Sequence, residues 1–139
     1  PVEEYKQKAA ALGLGDDLEF TGWISGQQKL DLLYQSRVMA LPSYYEGLPM
    51  SILEAMACSE AVISTPIGGI PEAVENSVSG MLVQPGDEVI LYAAVRLLLK
   101  HPERAQQMGR RGREIIEQKY DVLKLHRQLY AIYCQVMGE

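Results

Sequence analysis

Short apolar runs alternate along the chain with segments in which apolar residues recur every three or four positions. Four of the runs have the length of strands and lie beside turn residues, at 18–21, 37–41, 61–64 and 80–83. Helical spacing and end signals predict helices over 2–12, 27–35, 49–58, 71–75 and 88–100. Two further helices are predicted at the end of the chain, over 102–119 and 122–137.

Strands that alternate with helices through short loops are typical of a parallel sheet covered on both faces. The predicted fold class is therefore α/β, a Rossmann-like parallel sheet with a C-terminal helical tail. Four strands are few for a doubly wound domain, and the chain begins at Pro1, so we expect the first strands to lie upstream. The last helix has an apolar face that must be buried against something, formed by Val122, Leu125, Leu129, Tyr133 and Val136.

Charge is distributed unevenly along the chain. The 139 residues include 13 Lys and Arg and 18 Asp and Glu, a net charge of −5, and 47% are hydrophobic. This composition predicts a globular unit rather than a disordered tail. No Lys or Arg occurs in the 58 residues between Arg37 and Arg96, although seven carboxylates do. Nucleic-acid binding is disfavoured, because affinity for a polyanion comes mostly from clustered Lys and Arg.

The cellular context follows from features that the sequence lacks. No run reaches the length of a transmembrane helix, and the start does not resemble a signal peptide, so we expect a cytoplasmic protein. Cys58 and Cys134 have no metal-type spacing and are interpreted as ordinary thiols.

The helix over 102–119 carries four arginines among glutamates, which favours a solvated face. A patch against anionic lipid headgroups is the alternative, with peripheral contact at the inner face of the membrane.

The stretch after the strand 37–41 is the most informative. A loop carries Glu46 and Gly47, and a helix that begins at Pro49 holds Glu54 about one turn inside it. Ligands of open α/β sheets bind outside the carboxyl ends of strands. The free N–H groups of the helix start favour an anionic or hydroxyl-rich group, and a carboxylate such as Glu54 can bind a vicinal diol. From spacing alone, an acid that complements the helix dipole remains an alternative.

A second loop has the same placement between a strand and a helix. It contains the adjacent glycines Gly68 and Gly69, and Pro71 can open the helix that follows. Adjacent glycines before a helix can cradle an anion. A simple tight turn explains them equally well.

The ordered set of motifs resembles the C-terminal, donor-binding half of retaining glycosyltransferases of the GT-B fold, family 4. The motifs that carry the resemblance are Phe20-Thr21-Gly22, Pro42-Ser43, Glu46 and Glu54 with seven residues between them, Gly68-Gly69-x-x-Glu72, Gly80-x-Leu82-Val83-x-Pro85, Met108-Gly109 and Tyr120. The chain departs from the family pattern in two places, because Ser59-Glu60-Ala61 replaces Gly-x-Pro and Asp121 replaces an aromatic residue.

The resemblance implies roles for individual residues. Glu46 would approach the donor sugar as the catalytic residue, and Glu54 would bind the ribose of the nucleotide. The remaining donor-binding residues that it implies are Gly22, Trp23, Ile24, Ser43, Gly47, Leu48, Met50, Gly68 and Gly69. No metal or other cofactor is expected, since the chain has no Asp-x-Asp motif.

The resemblance also implies a function and a division of the chain. Residues 1–120 would form the nucleotide-sugar-binding domain, and residues 121–139 a helix that packs on an acceptor-binding N-terminal domain outside this sequence. The full protein would transfer a hexosyl group from a nucleotide-diphosphate sugar with retention, in polysaccharide, lipopolysaccharide or glycolipid synthesis, while this part alone would be inactive. Two alternatives remain: a regulatory nucleotide-sugar-binding module without activity, and a glycoside hydrolase that uses Glu46 and Glu54 as acid and nucleophile.

Overall fold

The structure, a computed structural model, describes residues 2–138. Its elements in chain order are α1 (Val2–Ala11), α2 (Gly26–Gln35), β1 (Val38–Leu41), α3 (Met50–Ala57), β2 (Ala61–Ser64), α4 (Ile70–Ala73), β3 (Gly80–Leu82), α5 (Glu88–Lys100), α6 (Pro102–Lys119) and α7 (Val122–Met137). All these helices and strands lie within two residues of the predicted bounds. Local periodicity and end signals therefore determine most of the secondary structure.

The predicted strand over 18–21 is wrong. Within residues 2–138 the sheet contains β1, β2 and β3, and residues 18–21 pair with none of them. Leu18 and Phe20 are 48% and 40% exposed. A run of strand-like composition forms a strand only where a neighbour satisfies its N–H and C=O groups.

The chain divides into two compact units, one ending at Asp31 and the other beginning at Leu32. The first contains α1, the irregular segment after it and the start of α2. The second contains the sheet and the helices that pack on it. The division into residues 1–120 and 121–139 stays a prediction.

The sheet of the second unit is parallel, in the order β1-β2-β3. Side chains of a strand point alternately to the two faces of its sheet. Val62 of β2 packs in one apolar cluster with α3 and α4, whereas Ala61 and Ile63 pack in another with α5. Because β2 is buried on both faces, the fold is the predicted α/β sandwich of helices around a parallel sheet.

Helix α6 passes along the amino-terminal side of the sheet. Its residues Ala105 and Met108 belong to the α5 cluster, and Ile115 belongs to the α3 cluster. Midway, a Cβ atom on Gly109 would lie 1.9 Å from the Ser59 carbonyl oxygen just before β2. Only glycine permits this approach. Because α6 lies at the amino ends of the strands, the carboxyl edge of the sheet is formed by the loops.

Helix α7 exposes its apolar face. Each of the five apolar residues predicted on this face is at least 46% exposed, and no residue of α7 is buried in the described part of the chain. None of the helices within residues 2–138 has the length and apolar character needed to cross a bilayer.

Glu60 is a buried carboxyl group at the start of β2. It is 4% exposed, and its Oε2 has no hydrogen-bond partner among the described residues. Burial raises the pKa of Glu60 from its ordinary value of 4.5 to about 7. An acid thus lies at the variable middle position of Ser59-Glu60-Ala61, where burial disfavours its charged form.

The unfolding free energy should therefore decrease as the pH rises from about 4.5 to about 7. The folded state holds the Glu60 proton more tightly than the unfolded state, so ionisation costs stability, by at most about 3 kcal/mol. Glu60→Gln should remove this decrease in urea unfolding measured at several pH values. The exposed control Glu19→Gln should retain it, and an equal decrease in the Glu60→Gln protein would contradict the assignment.

Candidate functional site

The three strands end at one edge of the sheet. Leu41 aligns with Ser64, and Ser64 with Leu82, so the loops that follow the strands start side by side. The sequence predicted this placement for the Glu46 loop, residues 42–49, and for the glycine loop, residues 65–69. The candidate site is built where these two loops meet.

Two buried hydroxyl groups at the end of β2 join it to the end of β1 and to the loop that follows β1. The Thr65 Oγ1 donates a hydrogen bond of 2.7 Å to the Ser43 carbonyl oxygen, and the Ser64 Oγ donates one of 2.8 Å to that of Leu41. Both side chains are fully buried. The sequence pattern predicted no role for either residue, although two polar residues at the end of an apolar strand and directly after it are a detectable signal.

The two adjacent glycines allow the loops to touch. The Gly69 N–H donates a hydrogen bond of 2.7 Å to the Gly47 carbonyl oxygen. Gly68 has a φ of +52°, and a Cβ atom there would lie 2.1 Å from the Glu46 carbonyl oxygen. The glycines therefore serve a close approach of two backbones, which fixes Gly47 and Leu48 against the second loop.

Glu46 lies in the first loop with its side chain exposed. The Ser43 Oγ donates a hydrogen bond of 3.0 Å to its Oε1. Ser43 is itself held by Thr65, so the carboxylate is positioned from the end of the strand. An anchored and solvent-accessible carboxylate at this edge can accept hydrogen bonds from ligand hydroxyl groups.

Helix α3 begins next to this loop. It starts at Met50, with Pro49 as an extended N-cap residue rather than the predicted first helical residue, and no side chain caps the start. Its first N–H groups and the positive end of its dipole therefore face the loop region, as suits an anion. Glu54 lies in the second turn and is half-buried, at the predicted place inside the helix.

The turn after β3 borders the same loop. Gly86 has a φ of +79°, and a Cβ atom there would lie 2.9 Å from the Tyr44 hydroxyl oxygen. The Asp87 Oδ1 accepts a hydrogen bond of 2.9 Å from the Ile90 N–H and so caps the start of α5. A contact between Tyr44 and Gly86 joins residues 42 positions apart, so local sequence signals do not reveal it.

The three predicted residues of the first unit have features of their own. Gly22 has a φ of +63°, and Trp23 is 95% exposed. Ile24 is half-buried. Their role at the nucleotide base stays a prediction.

The fold is a Rossmann-like domain, and the two loops form a candidate ligand site at the carboxyl edge of its parallel sheet. The chain belongs to the glycosyl transferases group 1 family, whose family model matches residues 2–115. This membership confirms the resemblance to GT-B glycosyltransferases of family 4, and the fold predicted with it.

Two relatives illustrate the similarity in sequence. Alpha-maltose-1-phosphate synthase of Mycolicibacterium smegmatis is 36% identical over 112 residues, covering 76% of this chain and 29% of that protein. N-acetyl-alpha-D-glucosaminyl L-malate synthase of Bacillus anthracis is 36% identical over 109 residues, covering 78% of this chain and 29% of that protein. The chain thus spans under a third of the length of these relatives.

Solved structures show the same similarity in fold. Sucrose-phosphate synthase from Thermosynechococcus elongatus matches 98% of this chain and 34% of its own, with a TM-score of 0.86 and 30% identity. Anabaena HepE in complex with UDP matches 96% of this chain and 36% of its own, with a TM-score of 0.88 and 25% identity. HepE has also been solved with UDP-glucose.

Gly68→Ala should lower the unfolding free energy by about 3 kcal/mol. The substitution adds a side chain in the left-handed region and drives its Cβ into the Glu46 carbonyl oxygen. Urea unfolding monitored by circular dichroism measures the change. Gly47→Ala is the matched control, because a Cβ at that position has nothing within 4 Å and its φ is not positive. Equal losses in both variants would contradict the loop–loop contact.

Proposed function

We propose that this chain is the donor-binding part of a glycosyltransferase that moves a hexosyl group from a nucleotide-diphosphate sugar to an acceptor, with retention of configuration. The observation that carries the proposal is the meeting of the Glu46 loop, the glycine loop and the uncapped start of α3 at one sheet edge. The family is one of transferases, which favours transfer over hydrolysis. Polysaccharide, lipopolysaccharide or glycolipid synthesis is the setting we propose, in the cytoplasm.

The nucleotide sugar would be bound by backbone groups and carboxylates. A diphosphate suits the N–H groups and positive dipole end of α3, including the Met50 amide. Glu54 would accept hydrogen bonds from the ribose diol. The complexes of HepE with UDP and UDP-glucose make a uridine nucleotide a reasonable first donor to test.

Glu46 would act at the sugar itself. Its carboxylate accepts a hydrogen bond from the Ser43 hydroxyl, which orients the side chain before the ligand binds. The entropy cost of orienting a hydroxyl group of the donor sugar is therefore smaller. We propose no metal for the leaving diphosphate, since the chain has no Asp-x-Asp motif. The helix dipole and basic residues outside this sequence would stabilise that charge instead.

Glu54→Gln should weaken UDP binding by about tenfold. The amide keeps the size of the side chain but loses the charge that strengthens two hydrogen bonds to the ribose. Isothermal titration calorimetry with UDP measures the affinity. The control Glu3→Gln removes the same charge from α1 and should bind UDP as the unsubstituted chain does. Unchanged affinity in Glu54→Gln would overturn the ribose assignment.

We also propose that α7 packs on an acceptor-binding N-terminal domain of the same protein. The chain spans about 30% of its relatives' length, and the apolar face of α7 is exposed within the described residues. Contiguous exposed apolar surface of this kind marks a contact site. Peripheral contact of the whole protein with a membrane remains part of the proposal.

The 139-residue chain should therefore self-associate through α7. Multi-angle light scattering over a concentration series should show a mass that rises with concentration, because the apolar face finds no other partner. Leu129→Lys combined with Tyr133→Lys should return the mass to that of a monomer. Arg127→Ala, on the opposite face of α7, should leave the association intact. A monomer at every concentration would contradict this assignment.

A further inference from the structure

A cleft of about 780 Å³ lies between α6 and the turn that precedes β3. Arg104, Arg110 and Arg111 line it on the side of α6, and Ser77 and Val78 line it on the side of the turn. We propose that this cleft binds a phosphate group.

The spacing of the helix residues brings donors into one surface. Arg104 and Arg111 are seven positions apart, so they lie on the same face two turns from each other, with the Gln107 amide between them. Guanidinium groups present planar sets of N–H donors that match the oxygens of a phosphate. The exposed Ser77 hydroxyl adds a donor from the opposite wall.

Two of the three arginines have no acidic partner in the part of the chain that the structure describes. Arg111 pairs with Glu114 at 2.9 Å, and this hydrogen bond, with the charge of Glu75, raises the pKa of its guanidinium. Among residues 2–138 no carboxylate lies within ion-pair distance of Arg104 or Arg110.

Two carboxylates line the cleft, and each has a neighbouring side chain on α6 or at its start. Glu114 is the partner of Arg111, and Glu103 lies 3.4 Å from the His101 Nδ1. Within the described residues the cleft therefore offers an anion two guanidinium groups without a carboxylate partner, one of which, Arg110, donates from its Nε to the Gln106 carbonyl oxygen at 3.4 Å. A third, Arg111, is held in place by Glu114.

The position of the cleft separates it from the proposed donor site. Ser77 and Val78 lie just before the amino end of β3, while Glu46 and Gly68 lie beyond the carboxyl ends of β1 and β2. Phosphate binding in the cleft therefore does not depend on nucleotide-sugar binding at the other edge. The phosphate could belong to a soluble ester or to a phospholipid headgroup, and the test distinguishes these sources.

Inorganic phosphate is the first probe, titrated into the 15N-labelled chain at constant ionic strength maintained with chloride. Saturable shifts are expected for the amides of 77–78 and 104–111. Arg104→Gln, Arg110→Gln and the double variant should weaken binding, by at least tenfold in the double variant, while circular dichroism stays unchanged. Arg127→Gln on α7 removes the same charge outside the cleft and should leave the affinity unchanged.

Vesicles of phosphatidylglycerol in phosphatidylcholine are the second probe, in a co-sedimentation assay. Vesicle binding that the double variant abolishes supports a headgroup as the source. Phosphate shifts without vesicle binding support a soluble phosphate ester. The proposal is overturned if neither probe binds, or if Arg127→Gln weakens binding as much as the double variant does.

Discussion

The candidate site depends on a backbone contact between two loops. The carbonyl oxygens of Glu46 and Gly47 approach the glycine loop so closely that a side chain at Gly68 has no room. The hydrogen bond from the Gly69 N–H to Gly47 then fixes the distance between the loops. Because Glu46 and the start of α3 belong to the first loop and its helix, their positions follow from this contact.

The amino and carboxyl ends of the strands have different roles. At the amino edge, α6 passes over the segment before β2, at a point where Gly109 lets backbone meet backbone. This packing joins the two apolar clusters and stabilises the layers. The carboxyl edge is left to the loops, in a stretch of sequence without Lys or Arg, and the start of α3 contributes positive potential there.

Sequence patterns predicted the helices and three strands because their signals are local. The strand over 18–21 was predicted wrongly, since strand formation depends on a partner that composition does not show. Glu46, Glu54 and the glycines were placed by motif and by the ends of strands. The contacts of Thr65 with Ser43 and of Tyr44 with Gly86 join distant parts of the chain, so local sequence patterns do not predict them. The burial of Glu60 was also seen only in the structure.

The central claim is that the Glu46 loop, the glycine loop and the start of α3 form one donor site. A crystal structure of the chain with UDP tests it most directly. We expect the diphosphate to lie within hydrogen-bond distance of the first amides of α3, and the ribose hydroxyl groups to bind Glu54. UDP bound elsewhere, with neither of these contacts, would contradict the account.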